Sequence, residues 1–99
     1  MAVKVLITRT VPQEKTREML QLFGKIRALA IDQPGYISGE TLRSCDRPDA
    51  FLVISAWQTP EDWESWLLSK KRQAIQTEID VLLGGNTNYE MFSYALREQ

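Results

Sequence analysis

Residues 3–11 read VKVLITRTV, in which Val3, Val5, Ile7 and Arg9 alternate with Lys4, Leu6, Thr8 and Thr10. A two-residue period in a β-branched run predicts a strand. Its first half is apolar on both sides, as in a strand covered on both faces. From Met19 the period changes: Met19, Leu22, Phe23, Ile26, Leu29 and Ala30 make one apolar stripe at helical spacing. Pro12 opens this helix, with Gln13 and Glu14 near its positive end, and Gln33-Pro34-Gly35 closes it, so it is expected over about 12–31. Two strands follow, YISGETLRS at 36–44 and AFLVISAWQ at 50–58, joined by CDRPD. Asp and Pro favour a turn there, so the pair predicts an antiparallel hairpin. Phe51, Val53, Ser55 and Trp57 share one face of the second strand, and Leu52, Ile54 and Ala56 the other.

Thr59-Pro60-Glu61-Asp62 supplies an N-cap, a proline at the first helical position and two acids after it. Ser69 predicts a second cap within the same helical region. Ala74, Ile75, Ile79, Leu82 and Leu83 form its apolar stripe, and Gly84-Gly85 end it. A last strand is expected over 88–96, with Tyr89, Met91, Ser93 and Ala95 opposite Glu90, Phe92, Tyr94 and Leu96. The order β-α-β-β-α-β predicts an α+β, ferredoxin-like fold: a four-stranded antiparallel sheet with helices on one face. Three of the strands are apolar on both faces, so the open face needs a cover. A second copy packed sheet to sheet would supply it.

Composition narrows the function. Ninety-nine residues predict a single domain, 1–99. Twelve Lys and Arg against 13 Asp and Glu leave a net charge of −1, without the basic surplus that nucleic acid demands. No apolar run approaches the ~20 residues of a membrane span, and the first residues carry no secretory pattern, which points to a cytoplasmic protein. Cys45 is the only cysteine and lies in the hairpin turn, so neither an internal disulfide nor a thiolate metal cluster is expected. Histidine is absent, which removes imidazole as a base near neutral pH and as a ligand for iron or zinc.

All three tryptophans, Trp57, Trp63 and Trp66, fall within SAWQTPEDWESWLLS. With the Pro34-Gly35 turn before the second strand, the strand ending in Trp57, the Thr59 helix start, the aromatic after it and the break at Ser69, this region resembles the antibiotic biosynthesis monooxygenase family. The resemblance extends over about 3–96 and is most specific over 34–76. It implies a dimeric α/β barrel with a pocket between each protomer's sheet and helices. It also implies oxidation of aromatic polyketides or quinols by O₂, often without a prosthetic group, so no cofactor or metal is expected. A haem-degrading branch uses an Asn, a Trp and a His. Here these positions hold Thr8, Trp66 and Gln76, so haem degradation is not expected.

The expected activity is therefore a cofactor-independent monooxygenase acting on a small aromatic or quinol-type substrate. The alternative is a non-catalytic dimeric ligand-binding protein of the same fold. A pocket for either needs apolar walls and a few hydrogen-bond donors for an oxyanion. Trp66, Tyr36 and Arg9 are the candidates for chemistry, and Thr8, Ser55, Gln76 and Tyr94 for substrate binding. Trp66 has equal claims to core and pocket. Trp57 reads as a strand-end plug, Trp63 as core, Gln76 more readily as an exposed helical residue than as a ligand contact, and Lys70-Lys71-Arg72 as a solvated basic cluster.

Overall fold

A computed structural model describes residues 1–85 and 87–96. The chain runs β1 (Val3–Thr10), a 3₁₀ turn (Gln13–Lys15), α1 (Thr16–Ala30), β2 (Tyr36–Arg43), β3 (Ala50–Trp57), α2 (Pro60–Leu67), α3 (Lys70–Leu83) and β4 (Thr87–Ser93). The strands form one antiparallel sheet in the order β2-β3-β1-β4, the expected ferredoxin-like topology. Each predicted element is present, with its ends adjusted by a few residues. Pro12 does not enter α1. It precedes the 3₁₀ turn, and α1 starts at Thr16.

The expected second cap divides the long helical region in two. Thr59 Oγ1 accepts the Asp62 backbone N–H at 3.1 Å, and Ser69 Oγ accepts that of Arg72 at 3.2 Å. Each cap satisfies an N–H that the first helical turn leaves orphaned. α3 ends at Gly84, whose φ of 79° is the left-handed conformation usual after a helix.

Strand pairing puts Val3, Val5, Ile7 and Arg9 of β1 opposite Trp57, Ser55, Val53 and Phe51 of β3. These positions face the helices and build two apolar clusters. One joins Val3, Val5 and Ile7 to the three tryptophans. The other joins Val11, Met19, Phe23 and Phe51 to Ile75 and Ile79 of α3. Arg9 continues the stripe of the first cluster, and its guanidinium lies 5.4 Å from the centre of the Phe23 ring in the second. Among the described residues no helix is long and apolar enough to cross a membrane.

β4 is shorter than expected and stops at Ser93. Tyr94 therefore lies past the strand, 60% exposed, beside Lys4 and Phe92. The stripe assigned to α3 is also corrected. Ala74 is exposed, while Arg72, Ile75, Gln76 and Ile79 are buried.

Candidate functional site

Between the sheet and the helices lies a cavity of about 60 Å³. β3 contributes Val53, Ser55 and Trp57 to its wall, and α2 contributes Trp63 and Trp66. Phe23 and Ile26 of α1 and Ile7 of β1 complete the apolar lining. Arg27, on α1, and Glu40 and Thr41, on the edge strand β2, also line it and are exposed, which places its mouth between those two elements. A site that holds benzene measures roughly 150 Å³. A single ring therefore fits only if wall side chains move outward, and a polycyclic molecule demands much more.

Trp57 is fully buried, yet it faces this space. Its indole N–H donates to Ser55 Oγ at 3.0 Å, which leaves the serine hydroxyl hydrogen free to donate elsewhere. The Tyr36 ring stands edge-on to Trp57 at 5.4 Å, and the Trp63 ring is tilted against Trp57 at 5.8 Å. The three tryptophans are thus core and wall together. Large rigid rings serve both purposes because each presents one face to the packing and another edge to the opening.

Tyr36 reaches the cavity by lying along its own strand. A bulge between Tyr36 and Ser38 shifts the register, and the phenol then crosses Gly39. A Cβ built on Gly39 would stand 2.6 Å from the Tyr36 hydroxyl oxygen. Gly39→Ala is accordingly expected to swing the phenol out of the cavity while leaving the fold intact. Ligand affinity should fall, with a melting shift smaller than ~5 °C, equivalent to about 1 kcal/mol or less.

Arg9 is 4% exposed and forms no ion pair among the described residues. Its Nη2 donates to Gln76 Oε1 and its Nε to Thr87 Oγ1, both at 3.3 Å. Gln76 is held in turn: its Nε2 donates to Asp80 Oδ1 at 2.8 Å, and its Oε1 accepts from the Tyr89 hydroxyl at 3.0 Å. The same Tyr89 oxygen accepts from Arg72 Nη2 at 3.0 Å. Arg72 is 1% exposed, with its guanidinium over the adjoining rings of Trp63 and Tyr89, 5.5 and 5.2 Å from their centres. Its Nε and Nη1 have no hydrogen-bond partner among the described residues. Two guanidiniums thus share a mostly apolar interior, and the carboxylate in their network belongs to an exposed residue, Asp80. Burial is the main force lowering the Arg9 pKa, to about 10; Arg72 adds to it, while Tyr89 and Asp80 oppose it. Arg9 still carries its full charge at neutral pH.

Of the residues singled out from the sequence, Trp66, Tyr36, Arg9 and Ser55 line this one cavity. Gln76 is buried rather than exposed, and reaches the site only through Arg9. Thr8 lies on the opposite face of the sheet, and Tyr94 is past the end of β4. Sequence reasoning missed Arg72, Tyr89, Glu40 and Gly39. Arg72 was detectable: positions 72, 75, 76 and 79 share one helical face, so extending the Ile75–Ile79 stripe backwards reaches it.

The sequence matches the antibiotic biosynthesis monooxygenase family over residues 2–78. The chain belongs to this family. No curated protein matches it. Among solved structures, the family fold recurs in SnoaB, a cofactor-independent oxygenase from Streptomyces nogalater: 19% identity, 97% of this chain and 95% of that one, TM-score 0.86. Rv0793 from Mycobacterium tuberculosis matches over 100% of both chains at 10% identity and TM-score 0.87. A conserved protein from Methanosarcina mazei matches at 16% identity over 93% and 91% of the two chains, TM-score 0.86. At these identities the likeness is one of fold.

Proposed function

We propose that this member of the family is a cofactor-independent monooxygenase for a small phenolic or quinol-type aromatic, bound in the cavity beside Trp66. The observation that carries this reading is an aromatic-walled cavity with a buried cation, Arg9, and two hydroxyls, Tyr36 and Ser55, on its wall. Hydrogen-bond donors to an ionised oxygen favour the anion over its neutral acid, so a phenol whose oxygen meets Tyr36 and Ser55 loses its proton more readily than one without such partners. The proton leaves towards the mouth, where Glu40 is the carboxylate on the lining. Tyr36 and Ser55 donate to the phenolate oxygen. The electron-rich ring then gives one electron to O₂, and the resulting superoxide joins a ring carbon as a hydroperoxide. Loss of water leaves a quinone. One oxygen atom of O₂ ends in the product and the other in water, and the substrate supplies all the electrons.

The protein would work as a homodimer joined through the open sheet face. Leu6, Leu52 and Ile54 are half-buried on that face, and Leu42 and Phe92 are 45% and 44% exposed. Light scattering at micromolar concentration should give twice the chain mass, and Ile54→Arg should reduce it to one.

Oxygen uptake with a panel of simple phenols and hydroquinones tests the activity. Uptake should match substrate consumed, with one atom of ¹⁸O₂ in each product molecule. Tyr36→Phe should lower the rate about 100-fold, the usual scale for losing one oxyanion donor. A second reading, binding without catalysis, is favoured by one observation: the lining carboxylate, Glu40, is exposed and ill placed to be a buried base. Saturable binding with no O₂ uptake above the buffer rate would establish that reading instead.

A further inference from the structure

We infer that the molecule bound in the cavity carries a carboxylate, received by Arg9, at the opposite end of the ring from a hydroxyl received by Tyr36 and Ser55. The inference rests on the cavity's being the ligand site, as proposed above, and adds the chemical class of the ligand.

Charge is the first argument. Arg9 and Arg72 are both more than nine-tenths buried, and neither forms an ion pair among the described residues. The nearest carboxylate in their network, Asp80, is bound to the Gln76 amide rather than to either guanidinium. Buried cations are ordinarily matched by an anion, because desolvation penalises an unmatched one heavily. Arg72 is partly compensated by the faces of Trp63 and Tyr89. Arg9 has one ring beneath it and two long hydrogen bonds of 3.3 Å. Those bonds use Nε and Nη2. Nη1 has no partner among the described residues and is not closed off as the orphaned Arg72 atoms are. Arg9 lines the cavity, and an anion bound there would supply the partner its guanidinium lacks.

Geometry is the second argument. Arg9 pairs with Phe51, and Ser55, with Gly39 and the Tyr36 hydroxyl beside it, lies four residues further along β3. Four residues of strand span about 13 Å. Arg9 and Tyr36 both line the cavity, so a ring lying along it meets the guanidinium at one end and the hydroxyls at the other. The apolar lining between the ends accepts the ring faces. A carboxylate suits the Arg9 end because a guanidinium edge and a carboxylate match in both shape and charge.

The test compares 4-hydroxybenzoate with 4-hydroxybenzamide, which has the same shape without the charge, by calorimetric titration. Wild-type protein should bind the acid at least ~10-fold more tightly, as charge-assisted hydrogen bonds imply. Arg9→Gln should bring the two affinities within ~3-fold of each other, because the acid loses more than the amide. Equal wild-type affinities would sink the inference and leave the aromatic site standing, and this comparison holds even if Arg9→Gln does not fold. An Arg9→Gln protein that folds and keeps the preference would also overturn it. Binding of neither molecule would remove both the inference and the ligand site it rests on.

Discussion

Trp57→Ala should cost the protein about 3–5 kcal/mol, the range for deleting a fully buried large aromatic. The indole is 0% exposed and touches Tyr36 and Trp63 as well as Ser55. Its removal leaves a void that the rigid strands around it, β1 and β2, cannot close. For a domain of this length the melting temperature should fall by at least ~12 °C. Much of a marginal stability of ~5–15 kcal/mol would then be gone. Free indole checks the mechanism, because the void has its shape. At 100 times its Kd it should restore about 2.7 kcal/mol by binding the folded state alone. Trp57→Phe should lose much less, chiefly the hydrogen bond to Ser55, about 1 kcal/mol. A Trp57→Ala protein that melts within a few degrees of the wild type would mean that the tryptophan cluster is not the keystone of the first apolar core.

Gly35→Ala is expected to be the most damaging change at the surface turns. Gly35 has φ of 82°, where an alanine pays about 1–2 kcal/mol. There is no room either, because a Cβ would run into the Asp62 carboxylate. That carboxylate accepts from the Thr59 hydroxyl at 2.9 Å, within the cap that starts α2. Displacing it disturbs the cap for about 1 kcal/mol more. The total is about 2–3 kcal/mol, or a melting shift of at least ~8 °C. Gly35 also accepts a hydrogen bond from the Gln58 backbone N–H at 2.8 Å, so the turn and the start of α2 move together. Trp63 and Trp66 stand on α2, and ligand binding should weaken along with stability. A double-mutant cycle separates the causes. Asp62→Gly should remove the collision, since even the Asp62 Cβ would stand 2.6 Å from the new methyl group, but not the backbone strain, so the double variant should be less damaged than the two single losses added together.

Both predictions rest on a stretch whose local meaning was plain in the sequence. Thr59 and Ser69 were recognisable as caps because capping is a contact between near neighbours, set by residue type and spacing. The alternation in β1 and β3 gave the faces of the sheet for the same reason: successive side chains point to opposite sides whatever the rest of the chain does. The family match was legible too, since its residues lie within one continuous stretch. Periodicity failed where a polar residue occupied an apolar position. Arg72 and Gln76 look like surface residues until Ile75 and Ile79 fix which side of α3 is inward.

The sequence by itself therefore determined the order of elements, their faces, their caps and the family. Only the tertiary structure decided which residues meet. Arg9 and Gln76 are 67 positions apart, and Arg72 and Tyr89 are 17 apart. No local pattern encodes such pairs, because they form only when α3 and β4 pack against β1. The same holds for the cavity. Its shape depends on a bulge that lays Tyr36 over Gly39 and on the angle at which α2 brings Trp66 to the sheet. Periodicity reports which way a side chain faces, but the distance across to its neighbour is set by packing, and the chemistry of this site depends on that distance.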